Sequence, residues 1–160
     1  MTIRAALASD SDAIWAILER VIRAGETFAL PRDMRRDEAL SYWFAPTHDV
    51  FIALEGNKAA GTHFLRANHS GGGAHVANAG YVTANESSGK GVARSMCVHS
   101  LDRARGLGFR AMQFNFVVST NERALRLWQS FEFEIVGRLP EAFSHPSAGY
   151  VDAYVMYRIL

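Results

Sequence analysis

The apolar pattern of this chain changes period near residue 50, and that change commits it to a fold mixing helices with a sheet. Before it, Ile14, Ile17, Leu18, Val21 and Ile22 recur at helical spacing, so Asp10–Arg23 reads as an amphipathic helix. Ser9-Asp10-Ser11-Asp12 supplies capping oxygens at its start, and Gly25 ends it. A short strand, Thr2–Ala5, precedes it, and a second helix is predicted from about Arg36 to Phe44. After the change, Val50–Leu54 and Ala59–Arg66 read as a hairpin around Glu55-Gly56-Asn57-Lys58. His75–Val82 reads as the next strand, beyond a glycine-rich loop at Asn68–Gly73.

The second half repeats the alternation. Val92, Met96, Leu101 and Ala104 mark a helix ending near Gly106-Leu107-Gly108, and Ala111–Val118 is a strongly apolar strand. Ser119-Thr120-Asn121-Glu122 caps a further helix carrying Ala124, Leu125, Leu127, Trp128 and Phe131. Phe133–Arg138 reads as a strand, Leu139–Gly149, with Pro140 and Pro146, as a loop, and Tyr150–Ile159 as a final strand. The order β-α-α-β-β-β-α-β-α-β-β is an α/β (α+β) arrangement on a mixed sheet.

At 160 residues and 49% hydrophobic content the chain has the material for one core, and it reads as a single domain over 1–160. Seventeen basic against sixteen acidic residues leave a net charge of +1, which does not suit a dedicated nucleic-acid binder. The longest apolar runs, such as Phe114–Val118, fall far short of the ~20 residues that span a bilayer. The start, Met1-Thr2-Ile3-Arg4, lacks a signal-like apolar segment, so a cytoplasmic protein without membrane association is expected. A lone cysteine, Cys97, allows no internal disulfide, and the histidines (His48, His63, His69, His75, His99, His145) lack metal-ligand spacing, so no metal is expected.

Tyr81–Arg94, YVTANESSGKGVAR, carries the strongest chemical signal. A strand ends, closely spaced glycines follow, and a helix begins. Free N–H groups and the positive dipole end at a helix start bind anions, and glycines let a phosphate approach the backbone. A P-loop is excluded, because Gly91 follows Lys90 and Ala84 stands at the first glycine. A dinucleotide fingerprint is disfavoured by Arg94 in its last place and by glycines set about seven residues beyond Val82.

Ser88-Gly89-Lys90-Gly91-Val92-Ala93 resembles the coenzyme A pyrophosphate loop of the GNAT N-acetyltransferase superfamily, [RQ]-x-x-G-x-[GA]. Gly91 and Ala93 match, and Ser88 stands where Arg or Gln is usual. Asn121-Glu122-Arg123-Ala124-Leu125-Arg126-Leu127-Trp128, then Phe131-Glu132-Phe133, resembles the family's N-x-x-A-x-x-[LF]-Y…G-F block, with Trp128 at the Tyr position and Glu132 replacing Gly. The element order matches over almost the whole chain, and small-molecule acetyltransferases of the phosphinothricin type are the nearest analogy.

The resemblance implies a mostly antiparallel sheet of about seven strands with about four helices, and acetyl-CoA as co-substrate. Gly80, Tyr81 and Val82 are then expected to pair with the pantetheine arm, and Ser88, Gly89, Lys90, Gly91, Val92 and Ala93 to hold the pyrophosphate. Asn121 is expected to bond the pantetheine, and Trp128 to pack against the cofactor or core. The implied reaction is direct acetyl transfer to a primary amine in a ternary complex. Trp128 is no acid at neutral pH, so the proton donor is vacant, moved to Tyr150 or Tyr154, or water. Glu26 and His75 are candidate bases. The acceptor is expected at Gly25–Met34 and Pro140–Tyr150, on Glu26, Thr27 and Tyr150. Buried Cys97 has no role in direct transfer. A small-molecule amine is the favoured acceptor. The alternatives are a non-catalytic acyl-CoA-binding domain and a protein N-terminal or lysine acetyltransferase. A homodimer through the apolar final strand is compatible with the family.

Overall fold

The computed structural model describes residues 1–160 and contains one seven-stranded sheet, order β1-β2-β3-β4-β5-β7-β6. The strands are β1 (Thr2–Ala5), β2 (Asp49–Glu55), β3 (Lys58–Ala67), β4 (Val76–Thr83), β5 (Ala111–Val118), β6 (Glu134–His145) and β7 (Gly149–Ile159). The helices are α1 (Ser11–Ala24), α2 (Arg36–Trp43), α3 (Val92–Gly106) and α4 (Glu122–Gln129). All neighbouring strands run antiparallel except β4 and β5. None of these helices is long and apolar enough to cross a membrane.

Strand alternation sends successive side chains to opposite faces, so the sheet carries two cores. Val50, Ile52, Phe64 and Val82 pack under α1 and α2 with Ile14, Leu18 and Trp43. Leu65, Ala79, Phe114 and Met156 face the other way with Cys97, Leu101 and Trp128. On the α1–α2 face a buried polar chain is tied: the Trp43 indole donates to Thr62 Oγ1 at 3.0 Å, and that hydroxyl donates to the Phe51 carbonyl at 2.8 Å.

The one large departure from the sequence reading is at residues 139–149. Leu139–His145 continue β6, and the connection to β7 is a short turn. Pro140 is tolerated because β6 is the outermost strand, where a missing N–H costs no inner ladder bond, and Pro146 falls in the turn. The register shifts between Leu139 and Phe143, and Glu141 takes φ +50° within that irregular stretch. The Asn68–Gly73 loop ends in a tight turn at Gly71–Gly73.

Candidate active site

The parallel pair that begins the centre of the sheet does not continue. β4 and β5 pair at Val76–Ala111 and Ala77–Met112 and then part. A bulge between Phe114 and Val117 bends β5 further away. At the apex, the Asn78 side chain closes the seam by donating Nδ2 to the Gln113 carbonyl at 2.9 Å. Beyond it, the β5-facing backbone groups of β4 from Asn78 to Thr83 have no partner strand. The result is a cleft of about 850 Å³ between the strands, walled by α3 and α4 on one side and the Thr27–Leu30 segment on the other.

One end of the cleft is a nest of unpaired amides. Gly89 and Gly91 adopt φ +85° and +81°, a conformation that disfavours side-chain-bearing residues, and Gly91 caps α3. The N–H groups of Gly89, Gly91, Val92, Ala93 and Arg94 meet no protein acceptor. Arg123 reaches across from α4 and donates to Ser88 Oγ at 2.6 Å. Arg94 lies beside it, bonded to Ser130 Oγ at 3.0 Å and stacked over Phe131. Free amides, a helix dipole and arginines together suit an anion.

The other end is aromatic. Phe28, Tyr42 and Phe64 line it with Thr27 and Leu30. Phe64 crosses β4 at Gly80, where a Cβ would stand 2.6 Å from the ring. Burial holds the Tyr42 hydroxyl above the usual tyrosine range, with Arg66 pulling weakly the other way. The lining charges are Arg66, Arg94, Arg123 and Arg126, and no Asp, Glu, Lys or His lines the cleft.

The structure brings Gly80, Tyr81, Val82, Ser88, Gly89, Gly91, Val92, Ala93, Asn121, Trp128 and Thr27 to this cleft. Asn121 caps α4, its Oδ1 accepting from the Ala124 N–H at 3.3 Å. Trp128 packs against Tyr81 and Phe114, with ring centroids 4.9 Å away from each. The Tyr81 hydroxyl turns to Ser100 Oγ, 2.6 Å away.

Other expected residues lie elsewhere. Lys90 turns outward to Glu55 at 3.7 Å. Exposed Glu26 sits beside Thr27 but outside the cleft lining. His75 precedes β4, where its carbonyl accepts from the Arg110 N–H at the closed end of the seam. Tyr150 is 73% exposed on the β6–β7 hairpin, because the expected acceptor loop is strand instead. Tyr154, on β7, is also absent from the cleft wall. Cys97 is fully buried, and burial pushes its thiol up to about 12. Arg66, Asn78, Tyr42 and Arg123 were not anticipated. Ser88, in place of a cation, was the signal that a cation had to be sought elsewhere.

The model of the acetyltransferase (GNAT) family matches residues 14–133. The chain belongs to the GNAT family. A GNAT structure from Kribbella flavida, described as a GCN5-related N-acetyltransferase, is 39% identical, covers 99% of this chain and 97% of its own, and superposes with a TM-score of 0.95. The N-acetyltransferase aca1 of Schizosaccharomyces pombe is 28% identical over 151 residues, 84% of this chain and 72% of the relative. A phosphinothricin acetyltransferase from Sinorhizobium meliloti, solved with acetyl-CoA, shares the fold at a TM-score of 0.86 and 20% identity, over 99% of this chain and 88% of its own. This GNAT protein is an acyltransferase.

Proposed function

We propose that residues 1–160 form one cytoplasmic domain that transfers the acetyl group of acetyl-CoA directly to the primary amine of a small molecule. The observation that carries this reading is the open edge of β4 leading into the glycine turn. An extended amide-bearing chain fits the unpaired backbone as an added strand, and a pyrophosphate fits the free N–H groups of residues 89 and 91–94. The S. meliloti relative was solved with acetyl-CoA, which supports the choice of co-substrate.

When bound, acetyl-CoA supplies the activated acyl carbon and a thiolate leaving group. Backbone amides at the open edge of β4 lie along the path of the acyl group and offer donors for charge growing on its oxygen. The acceptor ammonium first gives one proton to solvent; the neutral nitrogen then forms the amide bond as the carbon–sulfur bond breaks, and its next proton passes to sulfur. No carboxylate or imidazole lines the cleft, so water carries that proton, with Tyr42 as the titratable hydroxyl on the acceptor side. Tyr42, like any tyrosine, is protonated at neutral pH, and burial moves its titration further from neutrality.

The test pairs binding with turnover. At about 100 times its dissociation constant a native-state ligand adds roughly 2.7 kcal/mol, a melting shift of several degrees at this size. Acetyl-CoA is expected to produce that shift, and amines to release free thiol. A shift without thiol release across small amines, peptides and proteins would mean that this domain binds without transferring. Acetylated peptides with inert small amines would move the acceptor to protein.

A further inference from the structure

The four arginines of the cleft do not form one group. Arg94 and Arg123 come from the first turns of α3 and α4, beside the glycine turn, and Arg126 comes from the last turn of α4. Arg66 comes from the opposite wall, on β3, in register with Asn78. The glycine loop leaves β4 after Thr83, which pairs with Gly61. Five residues at about 3.3 Å each put Arg66 roughly 17 Å along the strand from that level. That exceeds the ~8 Å screening length at physiological salt, so phosphates at the glycine turn leave the charge on Arg66 unanswered.

Nothing in the protein answers it either. Arg66 makes no salt bridge, whereas Arg126 on α4 has Glu122 at 3.2 Å. Its guanidinium is nonetheless held in place. Nε donates to Asn78 Oδ1 at 3.2 Å, and the same amide is locked from behind by its bond to Gln113. That leaves Nη1 and Nη2 without a protein partner at the apex of the cleft. The charge faces Tyr42 and His48: burial raises the pKa of Tyr42 and lowers that of His48, and Arg66 adds a smaller downward pull on each. The surrounding wall is Phe28, Leu30 and Phe64, which offers no counter-charge.

We propose that the acceptor carries an acid group close to its amine, and that Arg66, positioned by Asn78, receives that group. The inference rests on the acetyl-transfer reading and narrows its substrate class. A planar guanidinium with its outer edge free matches a carboxylate or phosphonate bidentately. An amine bearing such an acid enters as a zwitterion. A polyamine brings uncompensated positive charge to a cleft already lined by arginines and no acids.

The experiment uses the whole chain saturated with acetyl-CoA. Its panel is aliphatic and aromatic α-amino acids, each with its carboxamide, its decarboxylated amine and its aminophosphonate, plus putrescine. Thiol release gives kcat and KM, and calorimetry on the CoA-loaded protein gives acceptor binding. An acid-bearing member is expected to exceed its amide and amine by about tenfold or more in kcat/KM, mostly through KM, as befits a charged hydrogen-bonded pair. Whether carboxylate or phosphonate leads identifies the acid. Arg66→Gln is expected to bring the acid-to-amide ratio close to one, and Arg66→Lys to restore part of it. Unchanged melting temperatures of both variants exclude a folding defect. Amines or putrescine matching the acids, a ratio that survives Arg66→Gln, or no acid member binding the loaded protein would each overturn the proposal. Failure of acetyl-CoA itself to shift the melting point would strike the underlying reading instead.

Discussion

Arg123 Nη1 donates to Ser88 Oγ across 2.6 Å, tying the first turn of α4 to the turn before α3. Position 88 is where the family usually carries Arg or Gln, and here the cation arrives from a different helix. Arg123 Nη2 also lies 3.8 Å from where a Cβ on Gly89 would stand, so the charge hangs over the turn itself. Arg123→Ala is expected to weaken CoA binding by about tenfold or more, since charged hydrogen bonds contribute roughly 1.5–3 kcal/mol. Ser88→Arg in the Arg123→Ala background is expected to recover much of that loss. Calorimetric titration of CoA into the four proteins of the cycle measures it. Equal affinities for the parent and Arg123→Ala would reduce the contact to a surface tether.

Asn121 serves its helix through one atom and leaves another free. Its Oδ1 accepts from the Ala124 N–H, while Nδ2 makes no bond within the protein. Asn121→Asp keeps the capping oxygen and is favoured by the helix dipole. That variant is expected to hold its melting temperature yet bind acetyl-CoA more weakly. Asn121→Ala is expected to lose about 1 kcal/mol of stability as well. Asp and Ala variants with the same melting loss would mean that capping is not separable from the amide.

Gly80 is required by contact rather than by its backbone angles. A methyl group there would stand 2.6 Å from Phe64 Cε1, with Phe64 held against Trp43 at 5.0 Å and stacked on His48 at 4.1 Å. Gly80→Ala is expected to destabilise by about 1–3 kcal/mol through overpacking. Adding Phe64→Leu is expected to return part of that loss. Urea unfolding of the single and double variants decides it, and an additive double variant would show that the ring is not the obstacle.

His63 is expected to make the protein acid-sensitive. It is fully buried, stacked at 5.0 Å on Phe51, and its Nε2 lies 3.1 Å from His99 Nδ1, while its own Nδ1 is unpartnered. Burial, then the neighbouring His99, holds its pKa down to about 3. The folded state keeps it neutral where the unfolded chain, with a pKa near 6.5, takes up a proton. Stability is therefore complete above about pH 6.5 and falls as pH drops toward 3, by roughly 2 kcal/mol at pH 5. His63→Phe is expected to flatten that slope in urea midpoints measured from pH 7 to 5. An unchanged slope would assign the acid sensitivity to other groups.

Most of the fold could be read from apolar spacing, because its elements are short and their periods are clean. Ala111–Val118 and Val92–Gly106 lie where the pattern put them. Leu139–His145 escaped because Pro140 and Pro146 signal a loop locally, and nothing local says that the strand carrying Pro140 is the sheet's edge, with Pro146 in the turn beyond it. The same limit divides the site. Ser88 to Ala93 is one continuous segment, so its turn and helix start are visible in the residues themselves. The acceptor end is assembled from β3, β4, α2 and the Thr27–Leu30 segment. Arg66 meets Asn78 through strand register, and Tyr42 reaches the wall through the packing of α2, and neither relation has a sequence signature. Tyr150 was misplaced for the reason that hid β6.

The seam between β4 and β5 has a mechanical consequence. Within the sheet, the β1–β4 half meets the β5–β7 half only at one end, through two backbone pairs, the Arg110–His75 backbone bond and the side-chain amides of Asn78 and Asn115. Along that join the molecule is two leaves stapled at one end. Without ligand, the β5-facing amides of β4 are expected to exchange with solvent as readily as those of an outer edge. A bound molecule lying along the gap would knit the leaves into one cooperative unit. The resistance of this protein to unfolding, and not merely its activity, would then depend on how much coenzyme its surroundings supply.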